Sequence, residues 1–379
     1  MTTSPATVRS APIVIPAALK PADGRFGSGP SKVPGDAVRL MAEQAPFGTS
    51  HRQAPVRDLV ARVRASIGAL LGLPDGYELL LGNGGSTTFW DAAAFGLVRQ
   101  RSQHVVCGEF SAKFAAVTAG APFLAEPDVL RSAPGTAGVA AAVAGVDVYA
   151  WPQNETSTGV VLPVQRVADA DDGALMVVDA TSAAGAIDTD LAQTDVYYFA
   201  PQKVFAGEGG LWLAALSPAA LDRVAEIRAE RWVPPSLDLA IARTNSAADQ
   251  TYNTPAIGSL WLLAHQSEWL LGHGGRPWAE RRSQLSSSRL YRWAERSDYA
   301  QPFVVEESAR SPVVGTIDID ASIDATAITA ALRANGIVDT EPYRGLGRNQ
   351  LRIGMYPAVD PADVEALTAC IDFVVNHLK

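Results

Sequence analysis

LMVVDATSAAGAIDTDLAQTDVYYFAPQKVFAGEGG, residues 175–210, carries two short apolar runs with a polar group beyond each. LMVVD and DVYYF are β-branched and aromatic runs bounded by small or turn-forming residues, which predicts two buried strands joined by a connector. Asp179 closes the first run. Lys203 follows the second by four residues, just ahead of Gly207, Gly209 and Gly210. Taken singly, each has an ordinary reading: Asp179 as a turn former, Lys203 as a solvated side chain before a Gly-rich turn. Together they put an amine and a carboxylate at neighbouring strand ends. Pyridoxal phosphate (PLP) chemistry needs that pair, a Lys to condense with the aldehyde and an acid against the pyridinium nitrogen so that the ring can serve as an electron sink.

Upstream, Glu78–Leu81 reads as a strand followed by Gly82-Asn83-Gly84-Gly85-Ser86-Thr87-Thr88 and a helix from about Phe89 to Val98. A Gly-rich turn that opens a helix leaves free N–H groups and a positive dipole end at one spot, which suits a phosphate. The spacing matches neither a Walker loop nor GxGxxG, which disfavours a nucleotide. Further strands are predicted at 104–107, 146–150, 195–199 and 211–215. Phe110 follows one, as a core aromatic or a ring stacked on a flat ligand, and Thr156 follows another. This alternation predicts an α/β fold with a mostly parallel sheet covered on both faces, its ligand beyond the carboxyl ends of the strands.

Two loops precede the first strand. Phe26-Gly27-Ser28-Gly29-Pro30 is a plain turn or a close backbone approach to a ligand, with the Ser28 hydroxyl beside it. His51 and Arg52 offer two donors to an anion, although a surface Arg is the simpler reading. Pro34–Glu43 and Pro55–Leu73 have helical spacing. After a helix over Pro218–Arg231 comes a polar loop from Arg243 to Pro255 containing Asn253 and Thr254, then helices from Ala256 towards Trp269 and from Pro277 to Arg296. The remainder changes character, with strands at Val313–Ile319, Gly336–Val338 and Leu351–Gly354 and helices at Ala325–Asn335 and Pro361–Asn376. That predicts a small α+β domain. Arg344, Arg348 and Arg352 fall within nine residues of it, and Arg352, inside an apolar strand, needs a partner such as a ligand carboxylate.

Composition sets outer limits. The 379 residues, 47% hydrophobic and 19% charged, allow two domains, and a net charge of −9 argues against a general nucleic-acid binder. Cys107 and Cys370 stand in no CxxC or Cys/His cluster, so a reducing compartment is expected, with no metal and no disulfide framework. The apolar piece Ala11–Leu19 is broken by Pro12 and Pro16 and is not read as a signal peptide. With no run long enough for a membrane span, the expectation is a cytoplasmic protein without membrane partners.

In sequence order, Ser28-Gly29-Pro30, Ser50-His51-Arg52, Gly84-Gly85-Ser86, Asn154-Glu155-Thr156, Asp179, Gln202-Lys203 and Asn253-Thr254 resemble the phosphoserine aminotransferases, PLP enzymes of fold type I, class V, in an actinobacterial-type branch. The resemblance implies a seven-stranded, mostly parallel sheet in a large PLP-binding domain (26–265), a small C-terminal α+β domain with a linking helix (266–379), and an N-terminal arm (1–25) packing with the latter. It implies Lys203 and Asp179 as catalytic residues, and Gly85, Ser86 and Gln202 at the cofactor phosphate. Phe110 would stack on the ring with Thr156 near its hydroxyl, while Asn253 and Thr254 would reach the phosphate from the other subunit of a homodimer with shared sites. Ser28, Arg52 and Arg352 would meet the substrate carboxylate, and His51, Arg344 or Arg348 the substrate phosphate. The implied reaction converts 3-phosphohydroxypyruvate and glutamate to phosphoserine and 2-oxoglutarate in serine biosynthesis, with 4-phosphohydroxythreonine as a further substrate in PLP biosynthesis. Many members have Trp at Phe110, and the family's His-Arg pair before the C-terminal arginine is absent here. The rivals are another class V enzyme, either a glyoxylate-type aminotransferase or a desulfurase-like lyase, and a non-enzymatic PLP-fold protein. The lyase needs a loop Cys that neither Cys107 nor Cys370 supplies.

Overall fold

The computed structural model describes residues 13–378. In chain order the strands are β1 (Glu78–Asn83), β2 (Ser102–Val106), β3 (Asp128–Arg131), β4 (Val148–Pro152), the short hairpin β5 (Asn154–Glu155) and β6 (Val160–Val161), β7 (Leu175–Asp179), β8 (Val196–Phe199), β9 (Leu211–Leu216), β10 (Ala300–Pro302), β11 (Val314–Ile319) and β12 (Gln350–Gly354). The helices are α1 (Gly35–Gln44), α2 (Ala54–Leu71), α3 (Gly85–Gly96), α4 (Glu109–Gly120), α5 (Pro218–Glu230), α6 (Leu239–Ala247), α7 (Ile257–Gly272), α8 (Gly275–Arg296), α9 (Ala325–Ala334) and α10 (Pro361–Leu378).

Seven strands form one sheet in the order β1-β9-β8-β7-β4-β2-β3. All its strands run one way except β9, antiparallel to both neighbours. The reversal follows from chain length: residues 200–210 are too few for a crossover helix, so the chain must return antiparallel. β4, β8 and β9 are buried throughout, as strands covered on both faces require. Side chains alternate between two cores. Leu79, Leu81, Met176, Val178, Tyr197 and Phe199 meet α2 and α7 on one face. Leu80, Leu175, Val177, Val196 and Tyr198 meet α3, α4, α5 and α6 on the other.

A second, antiparallel sheet, β10-β11-β12, shares a core with α8, α9 and α10. Ile15 is buried in that core, and Ile13 and Leu19 pack against it. Asn335 ties the segment down, donating to Ile13 O at 2.8 Å and accepting from Ile15 N at 2.9 Å. Residues 1–12 of the expected N-terminal arm lie outside the described residues.

Three expectations are corrected. The polar loop opening at Arg243 lies partly inside α6, whose buried face is only Leu239, Ala242 and Ser246 and whose start is capped by Asp238. The helix expected from Phe89 begins at Gly85, because Gly84 (φ +116°) makes the turn directly out of β1. Gly336–Val338 is not a strand; it contributes a single parallel bridge, Val338 to Arg25.

Candidate active site

Because β1, β2, β4, β7 and β8 are parallel, their carboxyl ends lie along one edge, and the turns leaving them enclose a cavity of about 350 Å3. Gly85, Ser86, Phe110, Thr156, Asp179, Gln202 and Lys203 all line it. The segment after Arg25 closes its rim. Gly354 N donates to Phe26 O, Tyr356 OH to Ser28 O and Ser31 Oγ to Lys203 O, at 2.7, 2.8 and 2.6 Å. This lacing brings Gly29 so close that a Cβ there would lie 2.8 Å from Lys203 Cε.

Lys203 is 7% exposed, and its amine donates to Thr156 Oγ1 at 3.0 Å. Burial pushes the amine down to about 8; Asp179 and Glu155 oppose the shift, and Arg352 adds to it. The amine lies 5.1 Å from the centre of the Phe110 ring. Across the cavity, Asp179 Oδ1 accepts from Thr181 N at 2.9 Å and Oδ2 from Tyr198 OH at 3.0 Å. Ser86 Oγ bonds Thr181 Oγ1 at 2.7 Å. α3 has no side-chain cap, so its first N–H groups are open to an anion. Among the described residues, Gln202 Oε1 and Asn154 Oδ1 are buried without a protein partner although both residues line the cavity. Orphan acceptors of this kind ask for a donor from a ligand or water.

Arg352 is on β12 with its guanidinium over the Tyr343 ring at 5.2 Å and Nη1 donating to Thr156 O at 3.3 Å; its Nε is buried and unpartnered. Burial lowers this guanidinium from its ordinary value. Tyr343 also meets Phe110 edge-on at 5.9 Å.

Other predicted residues do not line this cavity. His51 Nδ1 bonds Thr254 Oγ1 at 3.2 Å, and Asn83 Nδ2, one residue before the Gly84 turn, donates to Asn253 Oδ1 at 2.9 Å. Burial, with Arg52 assisting, lowers the His51 imidazole, whose Nε2 has no protein partner. Arg52 is turned to its own chain, donating to Asn245 Oδ1 at 3.1 Å, to Tyr252 O at 3.0 Å and to Gln250. Arg344 sits in a single 3-10 turn, Arg344–Leu346. Arg348 pairs with Asp318 through both Nε and Nη2 and lines a separate groove of about 740 Å3.

Glu155 lies between Asn154 and Thr156 without a role legible in the sequence. It is 1% exposed, and its carboxylate accepts from Phe110 N, Ser111 N, Ser111 Oγ, Ser157 N and Ser157 Oγ at 2.7–3.1 Å. It thereby fixes the start of α4, and Phe110 with it, to the segment carrying Thr156. Only tertiary structure shows this; the sequence signal was an acid between two buried polar residues. Glu155→Ala strands three backbone donors, each costing about 1–3 kcal/mol. The expected loss is roughly 3 kcal/mol or more, read as a lower urea midpoint at unchanged slope; a loss below about 1 kcal/mol would contradict this anchoring role.

Among the described residues, no group of three or more His, Cys, Asp or Glu could hold a metal ion, and no helix is long and apolar enough to cross a membrane.

The Aminotransferase class-V family model matches residues 141–367, which places a chain with this sheet and this cavity at its carboxyl edge among the class-V aminotransferases. The chain is 60% identical over 366 residues to a putative phosphoserine aminotransferase of Mycolicibacterium vanbaalenii, covering 96% of this chain and 98% of that one. It is 57% identical over 368 residues to a phosphoserine aminotransferase of Rhodococcus opacus, with 96% and 98% covered. The phosphoserine aminotransferase structure from Bacillus circulans subsp. alkalophilus superposes with a TM-score of 0.80 at 21% identity, over 94% of this chain and 99% of that one, a likeness of fold. The chain belongs to the phosphoserine aminotransferase family of class V.

Proposed function

We propose that this aminotransferase uses PLP to move the amino group of glutamate to 3-phosphohydroxypyruvate, giving phosphoserine and 2-oxoglutarate in serine biosynthesis. The observation that carries the cofactor reading is the buried Lys203 amine sharing one cavity with Asp179 and the open start of α3. A cavity of about 350 Å3 is of small-ligand size. The residues fit the group. Gly85, Ser86 and the side-chain amide N–H of Gln202 would hold the phosphate, Phe110 would cover the ring, Thr156 would meet its hydroxyl and Asp179 its nitrogen. The bound cofactor supplies an electron sink for the pair released at the substrate Cα. Asp179 favours the protonated ring nitrogen. Lys203, freed from Thr156, takes the Cα proton and returns it across the site as general base and acid. Arg352, with its open Nε, orients the substrate carboxylate beside Ser28. His51 presents its unpartnered Nε2 to the substrate phosphate as a hydrogen-bonding group, with Arg344 supplying the positive charge; Arg348 is committed to Asp318.

A neutral amine is the nucleophile towards an aldehyde, and the Lys203 amine titrates at about 8 rather than 10.5. The rate of PLP capture by the apo form is therefore expected to rise with pH through a midpoint near 8 and to level above it. A midpoint close to 10.5 would show that the amine does not experience this burial.

The division into an N-terminal arm (1–25), a large domain (26–265) and a small domain (266–379) belongs to the same reading, as do a cytoplasmic setting, 4-phosphohydroxythreonine as a second acceptor and a homodimer with shared sites. Phe47 and Tyr252 are exposed apolar side chains next to the His51 and Asn253 loops, where a second subunit would cover them. A desulfurase-like lyase is disfavoured because Cys107 is 2% exposed and burial pushes its thiol upward, away from the reactive thiolate. Comparing 3-phosphohydroxypyruvate, hydroxypyruvate and glyoxylate as acceptors from glutamate tests the substrate assignment. The phosphorylated acceptor is expected to have the highest kcat/KM, and a preference for glyoxylate would move the chain to the glyoxylate-type aminotransferases.

A further inference from the structure

We propose that Trp90 and Tyr198 are positioning residues for Asp179: the indole N–H holds the phenol so that its proton points at one carboxylate oxygen, fixing the face that the carboxylate offers to the ring nitrogen of PLP. This rests on the PLP reading above. Tyr198 is fully buried on β8. Its hydroxyl lies 3.0 Å from Asp179 Oδ2, and Trp90 Nε1 lies 2.9 Å from the same hydroxyl oxygen. Direction follows from chemistry, because an indole N–H only donates. The phenol oxygen must accept from Trp90, and its single proton is left for Asp179. The Thr181 N–H takes the other carboxylate oxygen at 2.9 Å, so each oxygen has one protein donor and the carboxylate cannot rotate without losing both. Burial and the nearby Asp179 charge raise the phenol well above its ordinary range, which keeps it a donor.

The rings are held as firmly as the polar atoms. Phe89 stacks on Tyr198 with centroids 4.5 Å apart, and Phe114 meets Tyr198 edge-on at 6.1 Å while lying parallel to Trp90 at 6.2 Å. Packing alone does not call for the hydroxyl: Phe at 198 would fill the same space but leave the Trp90 N–H without its acceptor. Trp90 also lines the cavity, so the relay runs from the cavity wall through the sheet core to the carboxylate.

The test is a double-mutant cycle read on PLP affinity of the apo protein by equilibrium dialysis, with unfolding midpoints confirming that each variant is folded. A hydrogen bond to a charged group corresponds to roughly tenfold in affinity. Tyr198→Phe is expected to weaken PLP binding about tenfold, and Trp90→Phe about threefold, in the otherwise unchanged chain. In an Asp179→Ala background both effects should vanish, since there is no carboxylate left to position. Tyr198→Phe should also lower kcat with the KM for glutamate unchanged within about twofold. Undiminished affinity in Tyr198→Phe, or an equal loss in the Asp179→Ala background, would overturn the inference. Should Tyr198→Phe not fold, the Trp90→Phe pair decides by the same comparison. Failure of the unchanged chain to bind PLP would overturn the proposed function itself, and this inference with it.

Discussion

Lys203→Ala is expected to cut turnover on the order of 10^4-fold while leaving the chain folded, because it removes the one amine that lines the cavity among the described residues and with it both proton movements assigned to that group. Stability should hardly fall. An amine lowered from 10.5 to about 8 is a folded-state base that prefers to be neutral, so burying it charged costs free energy below pH 8. That penalty fades as pH rises from the folded value towards the unfolded one and is gone above 10.5. At pH 7 it amounts to roughly 3 kcal/mol as an upper figure, at about 1.4 kcal/mol for each unit. Truncation to Ala relieves this cost and forfeits the packing of the side-chain stem and the bond to Thr156, so the two changes oppose each other. Unfolding midpoints and turnover measured on one preparation check both halves. Turnover near that of the unchanged chain would remove Lys203 from the mechanism.

Mixing two inactive variants should restore about a quarter of parental activity if sites are shared between subunits. Thr254 lies beside His51 and next to Asn253, which Asn83 holds, and none of these residues lines the cavity of its own chain. Thr254→Glu puts a carboxylate where the proposed dimer brings this loop to a neighbour's cofactor phosphate, and the like charges repel. Lys203→Ala disables the other component. In a mixed dimer one site collects both lesions and the other collects neither. Random exchange makes about half the dimers mixed, and half the sites in those are intact, hence roughly a quarter. Differently tagged chains verify that exchange has occurred. Exchange without recovered activity would mean that each site is built from one subunit.

The layout of the large sheet was legible because its strands are buried on both faces, which leaves continuous runs such as LMVVD and DVYYF rather than faint alternation. The cavity residues were legible for a related reason: parallel strands deliver whatever follows them to one edge, so a polar residue after a strand is already placed. β3 escaped because it is a four-residue edge strand, half exposed and carrying Asp128 and Arg131 at its ends. α6 escaped because Arg243, Thr244 and Asn245 face outward and hide a narrow apolar stripe. The partners of Arg352 could not be read, since a backbone carbonyl and the Tyr343 ring leave no signature in sequence. The family resemblance offered Arg348 as an alternative to His51 or Arg344 for the substrate phosphate; its pairing with Asp318, thirty residues away, leaves no local signature in the sequence. Trp90 and Tyr198 are 108 residues apart, so the meeting of their polar atoms leaves no signature in the sequence.

The central claim is that one cavity, built around Lys203 and Asp179, passes an amino group from glutamate to a phosphorylated keto acid. Its most direct test follows the visible absorbance of the PLP-loaded protein through the two half-reactions, each substrate added alone. Glutamate should abolish the absorbance of the PLP form, and 3-phosphohydroxypyruvate should then restore it, with phosphoserine released in equal amount to the sites. A protein whose absorbance glutamate leaves unchanged, or one that glyoxylate restores and 3-phosphohydroxypyruvate does not, would contradict the account.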